Sequence, residues 1–114
     1  PRTPAGKRAA RDYVTGLKAR TKDRDKAISL QARLAQLKAI RHWGLSTPDD
    51  LSAIKQPVFV ANGDNDLMVG SSLSADLARR LPNARLTIYP DSGHGGVFQH
   101  HLAFVPAVLD FLAD

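Results

Sequence analysis

The sequence predicts an α/β fold in which two parallel strands are covered by helices and preceded by a separate helical segment. Three observations predict it. Residues 58–61, Val-Phe-Val-Ala, form a continuous apolar run without alternation, the pattern of a strand covered on both faces. Leu73, Leu77 and Leu81 recur every four residues after it, the period of a helix that buries one face. Leu86 and Ile88 then alternate with Thr87 and Tyr89, as in a strand. Strand, helix, strand with short connections argues for parallel neighbours joined by a crossover helix.

The elements follow in order. Residues 1–6 are expected to be an irregular leader, and 7–20 a weakly patterned helix that contains Gly16. "TKDRD", residues 21–25, is a polar break, and Asp25 is a candidate N-cap for the helix "KAISLQARLAQLKAIRHWG". In that helix Leu30, Leu34, Leu37 and Arg41, with Ile40 alongside, share one face. Gly44 supplies its stop, and His42 and Trp43 are expected to pack on the sheet domain. Ser46 or Thr47 before Pro48 marks a short helical turn that ends before Pro57. The helix over 71–81 has Ser71 or Ser72 as cap, and Pro82-Asn83 breaks it. The second strand covers 84–90. A last helix covers 99–113, with Leu102, Val105, Leu109 and Leu112 on its main face, widened by Phe104, Val108 and Phe111. The division expected is a helical segment over 1–45 and a sheet-bearing segment over 46–114.

Composition narrows the possible functions. A chain of 114 residues, 43% apolar, suits one domain or a piece of one. The absence of cysteine excludes disulfides and thiolate metal sites and fits a cytoplasmic location. No apolar run is long enough for a membrane helix, no leader peptide is visible at Pro1, and no membrane partner is expected. Residues 1–44 carry twelve Lys/Arg against three Asp, a net of +9, whereas residues 45–114 carry a net of −4. The basic half has only Tyr13 and Trp43 as aromatics and no recognised motif. It is therefore expected to be the solvated face of helices, with no nucleic-acid partner.

Two loops carry the candidate chemistry. A right-handed crossover brings the C-terminal ends of both strands to one edge, where ligands bind in open α/β sheets. "NGDND" leaves the first strand there and "DSGHGG" leaves the second. A carboxylate beside a histidine fixes the imidazole tautomer and stabilises the imidazolium formed when the ring takes a proton. His94 is the candidate base, and Asp64 and Asp66 are both candidate partners, either of which could be a turn-forming residue. Gly93 and Gly95 flank His94 and are expected to let the loop take φ > 0, and Gly96 to leave room for substrate or a lid helix. Met68, Val69, Val97 and Phe98 adjoin the two positions and are candidate substrate-binding residues. His100 and His101 could join His94 on a metal, but no further ligand stands at a recognisable spacing, so neither metal nor cofactor is expected.

The chain order of acid and then histidine, each after a strand, resembles the α/β-hydrolase fold, where the order is nucleophile, acid, histidine. "IKQPVFVANGDNDLMV" is similar to that family's strand and acid loop, and "SADLARRLPNARLTIYPDSGHGGVFQHHLAFVPAVLDFL" to its closing helix, last strand, Gly-His loop and final helix. The resemblance implies that Asp66, by the Gly-x-x-Asp spacing from Gly63, is the acid and His94 the base, which leaves Asp64 a structural role. Gly70 departs from the family's frequent Pro. Residues 7–44 resemble the tail of the family's lid. The implied fold class is the C-terminal part of an α/β-hydrolase fold, its last two parallel strands with covering helices, preceded by lid-type helices.

The implied activity is esterase-like acyl hydrolysis of a small-molecule substrate. The alternatives are an aspartate-nucleophile dehalogenase or epoxide hydrolase, and a non-catalytic binding module on the same fold. No Gly-x-Ser-x-Gly turn is present, since "GLSTP" lacks the second glycine and follows a helix. The chain is accordingly expected to be a C-terminal fragment, inactive alone, whose partner is the upstream half of the same protein or another copy of the chain.

Overall fold

A computed structural model describes residues 1–113. In chain order it contains α1 (Pro4–Ala19), α2 (Leu30–Gly44), a 3-10 turn (Leu51–Ala53), β1 (Val58–Gly63), α3 (Ser71–Arg80), β2 (Ala84–Tyr89), α4 (Gly96–Gln99) and α5 (His101–Ala113). The fold class is α/β and matches the expected C-terminal hydrolase-type arrangement, with β1 and β2 paired in parallel from Val58↔Ala84 to Gly63↔Tyr89. Among the described residues no helix is long and apolar enough to cross a membrane.

The chain divides into two compact units, residues 1–19 with 51–114, and residues 20–50. The first helix therefore groups with the sheet, whereas the sequence suggested a single helical segment over 1–45. The smaller unit holds α2. Its N-cap is Ser29, whose Oγ accepts from the Ala32 amide at 3.1 Å. The helix thus starts at Leu30, five residues after the cap expected at Asp25, because a hydroxyl in extended backbone at 29 satisfies an otherwise unpaired N–H. Trp43, expected to be packed, is 72% exposed.

In the larger unit α1 begins earlier than its apolar pattern suggests. Thr3 caps it: Oγ accepts from the Gly6 amide at 3.1 Å and the carbonyl from the Lys7 amide at 3.0 Å. Pro4 then occupies the first helical position, where its missing N–H costs nothing. Residues 4–6, read as leader, are the first turn of the helix.

Strand alternation assigns the two sheet faces. Asn62 bonds Ser74 of α3, so Val58, Val60 and Asn62 face α3, joined across the register by Leu86 and Ile88. Phe59 lies 5.4 Å from Phe111 and 6.2 Å from Phe104, ring to ring, so Phe59, Arg85 and Tyr89 face α5. Arg85 lies over the Phe59 ring, a cation–π contact that covers the sheet's start. The core is small, with Val60, Leu81 and Tyr89 as its buried apolar side chains.

The last helix corrects the sequence reading in two respects. It is broken at His100 into α4 and α5. Its packing face is also the one treated as secondary: Phe104 and Phe111 meet the sheet, while Leu102, Val105, Leu109 and Leu112 are exposed. Aromatic rings reach across to Phe59 and Tyr89 and win the contact with a two-stranded sheet, which is too narrow to cover both faces of the helix.

Candidate active site

The ladder continues beyond the strand ends and ties the two loops together. The Asp64 amide donates to the Tyr89 carbonyl at 2.9 Å and the Asn65 amide to the Ser92 carbonyl at 2.9 Å. Ser92 is fully buried between them. Its Oγ donates to the Tyr89 carbonyl at 3.0 Å and its amide to Asp64 Oδ1 at 3.2 Å. Asp64 therefore staples loop to loop and also pairs with Arg2.

Asp66 reaches the histidine. Its Oδ2 lies 3.0 Å from His94 Nδ1, while Oδ1 accepts from the Met68 and Val69 amides at 2.8 and 3.0 Å. The carboxylate side chain is 2% exposed and the imidazole 56% exposed. Burial pushes the Asp66 carboxyl up, but the Val69 amide, the His94 ring and the Met68 amide outweigh it and hold it below the ordinary carboxylate value. An ionised partner at Nδ1 makes that nitrogen the donor, which leaves Nε2 as the acceptor of a neutral ring. The arrangement can take up a proton at Nε2 and stabilise the resulting cation.

The glycines serve a different purpose from the one expected. None of them has positive φ; the left-handed residue of the loop is Asp91, at φ 49°. Close approach requires glycine at Gly63 and Gly96, and neither close approach nor positive φ requires it at Gly93 or Gly95. A Cβ on Gly96 would sit 2.9 Å from Ser92 Oγ and 3.1 Å from the Gly63 nitrogen, and one on Gly63 would strike the backbone of Ser92 and Gly93. Gly96 is thus hemmed in by Ser92 and Gly63 on the side where a Cβ would point, and it also lines the cleft beside His94 and Asp66. Gly95 has open space beside it.

Of the candidate substrate-binding residues, Val69 and Val97 line a cleft of about 210 Å³ with Asn62, Asp66, Ser74 and His94. Phe98 instead stacks on Tyr13, centroids 5.0 Å apart. Met68 is 77% exposed and takes part through its amide. On another side of His94 a cavity of about 220 Å³ is lined by Ala10, Tyr13 and Val14 of α1, together with Pro1, Gly93, Gly95 and Gln99. The sequence reading missed α1 here, because a weak helical pattern carries no sign of where the helix docks. The docking signal lies in "YPDSGH": Asp91 accepts from the Arg2 and Thr3 amides and from the Thr3 hydroxyl. Those bonds, the Thr3 hydroxyl foremost, lower its pKa to about 2.

His100 and His101 do not join His94. His100 Nε2 bonds the Pro90 carbonyl while its ring stacks on Tyr89, and His101 Nδ1 bonds the Phe98 carbonyl. Ser71 does not cap α3; Gly70 holds that position without a side-chain bond, and Ser71 Oγ donates to the Gly63 carbonyl at 2.6 Å, which braces the acid loop.

The chain is similar to several known proteins. A family model described as TAP-like protein matches residues 32–114. Over 65 residues the chain is 46% identical to RutD of Caulobacter sp. (strain K31), provisionally named a carbamate hydrolase; the match spans 57% of this chain and 24% of that protein. It is 40% identical over 68 residues to a non-heme haloperoxidase of Rhodococcus erythropolis, spanning 59% and 24% of the two. Among solved structures, an alpha/beta hydrolase fold protein from Chitinophaga pinensis superposes with a TM-score of 0.88 at 38% identity, over 97% of this chain and 41% of that one. The chain spans about a quarter of the length of the curated relatives it matches.

Proposed function

The chain belongs to the α/β-hydrolase superfamily, and from that premise we propose that it supplies the acid and the histidine of a nucleophile–His–Asp triad for acyl hydrolysis. The observation that carries this reading is the 3.0 Å contact between His94 Nδ1 and a carboxylate shielded from water on its own side. His94 Nε2 takes the proton of a nucleophilic hydroxyl as that oxygen attacks the acyl carbon. The imidazolium, paired with Asp66, then returns the proton to the leaving group, and water repeats the sequence to free the acid. The nucleophile comes from a segment outside these residues.

The cavity bounded by Ala10, Tyr13 and Val14 suits a small, mainly apolar substrate group beside the imidazole. The relative named for carbamate hydrolysis supports an acyl carbon as the centre attacked. The test uses the complete protein against short-chain nitrophenyl esters and aryl carbamates. Turnover that disappears in His94→Ala supports the reading. No turnover on either series, with Gly or Ala where the nucleophile should stand, would favour a binding module of the same fold instead.

A further inference from the structure

We infer that Asn62 is the positioning residue of the acid: held by Ser74, it fixes the Val69 peptide that in turn aims the Asp66 carboxylate at His94. Asn62 is buried at the end of β1, facing α3. Its Nδ2 donates to the Val69 carbonyl at 3.1 Å and to Ser74 Oγ at 3.0 Å, and its Oδ1 accepts from the Gly63 amide at 2.7 Å. Both amide hydrogens and the oxygen are therefore engaged. The opposite amide orientation would set oxygen against the Val69 carbonyl and NH2 against the Gly63 N–H, so the network dictates the assignment.

The relay then runs through one residue. Val69 has its carbonyl on Asn62 and its amide on Asp66 Oδ1, while the other carboxylate oxygen holds His94. The Asp64 and Asn65 amides tie the start of the connection to the second loop, and Asn62 holds its far end at Val69, beyond Asp66. Ser74 of α3 supplies the rigid end, since a buried amide on a strand and a hydroxyl on a helix cannot shift independently. An apolar strand end would fill the same space without holding the loop. The inference rests on Asp66 being the partner of His94, but not on which nucleophile or substrate is used.

The test is by NMR on the complete protein, so it reads no turnover and its failure is distinct from failure of the hydrolase reading. In Asn62→Leu, of similar volume, hydrogen-exchange protection of the Val69 amide falls by roughly tenfold, the net loss of about one hydrogen bond, and the Asp66 carboxyl titrates nearer the ordinary carboxylate range. Ser74→Ala, which keeps the Asn62–Val69 bond, shows a smaller change of the same sign. In the unsubstituted chain the Asn62 side-chain amide resonances shift as Asp66 is protonated. A variant that melts lower but keeps Val69 protection and the Asp66 titration makes Asn62 merely structural and overturns the inference. Should Asn62→Leu not fold, the unsubstituted titration decides: Asn62 resonances indifferent to Asp66 protonation overturn it as well.

Discussion

Asp66 Oδ2 stands 3.0 Å from His94 Nδ1 across 28 residues of sequence, and the two groups differ sharply in exposure, the acid buried and the ring half open. A buried carboxylate held ionised by two backbone amides is suited to orient an imidazole. An exposed imidazole is suited to meet a reactant.

The first prediction concerns this pair. In the complete protein, Asp66→Asn should lower kcat by about 10⁴-fold with the fold retained, because an amide at this position stabilises the wrong tautomer. Steady-state kinetics alongside circular dichroism check it. Retained turnover in Asp66→Asn would remove Asp66 from the triad. The pH sign follows from the depressed carboxyl: the pair's contribution to stability is present above the unfolded carboxylate pKa of about 3.9 and is lost as pH falls through the lower folded value.

A second prediction concerns the seating of α1. Asp91 titrates at about 2 in the folded chain, below its unfolded value of about 3.9. Its hold on Arg2 and Thr3 is therefore complete above pH ~4 and released as pH falls towards 2. Hydrogen exchange at the Gly6 and Lys7 amides should rise over that window in the unsubstituted complete protein, and be raised and flat in Asp91→Asn. Thr3→Ala removes the cap as well and should cost α1 about 1 kcal/mol. Protection that ignores both substitutions would show that α1 docks by other means.

Much of this was legible from residue order, for reasons that differ between elements. The apolar run of β1 marks a strand covered on both faces, and the leucine period marks α3 as a helix, although of its leucines only Leu81 is buried while Leu73 and Leu77 stay exposed. The meeting of the two loops that carry Asp66 and His94 followed from topology, since parallel strands joined by a helix put both C-terminal ends on one edge, whereas the choice of Asp66 over Asp64 came from the family resemblance. Other features, the docking of α1 beside His94 among them, were not legible. The capping of α2 by Ser29 competed with Asp25, and composition alone cannot rank two good caps a few residues apart. The side of α5 that packs is chosen by where Phe59 and Tyr89 present their rings, which is tertiary information. The role of the glycines was misread because close approach and positive φ leave the same mark in a sequence.

That distinction yields the third prediction. In the complete protein, Gly96→Ala should be destabilising by roughly 1–3 kcal/mol, as overpacking is, since the new methyl would meet Gly63 backbone that cannot yield. Gly95→Ala, with open space and φ −88°, should stay within about 0.5 kcal/mol. Paired thermal melts check this, and equal effects at both positions would contradict the close-approach explanation.

The fourth prediction turns on α5. Leu102, Leu109 and Leu112 are 83, 62 and 73% exposed, and β1 has a single strand neighbour among the described residues. An apolar helix face together with a free strand edge favours association, so the chain alone should sediment as oligomers or aggregates rather than as a compact monomer. Leu109→Lys should reduce that association at a stability cost within about 0.5 kcal/mol, because the side chain has few neighbours to lose. Phe111→Ala, on the sheet-facing side against Phe59, should instead destabilise the fold, by at most the roughly 3–5 kcal/mol of a fully buried ring. Sedimentation velocity separates the two effects. A cooperatively folding monomer in the unsubstituted chain would show that the leucine face needs no cover, and the helix would then be an ordinary surface element rather than half of an interface.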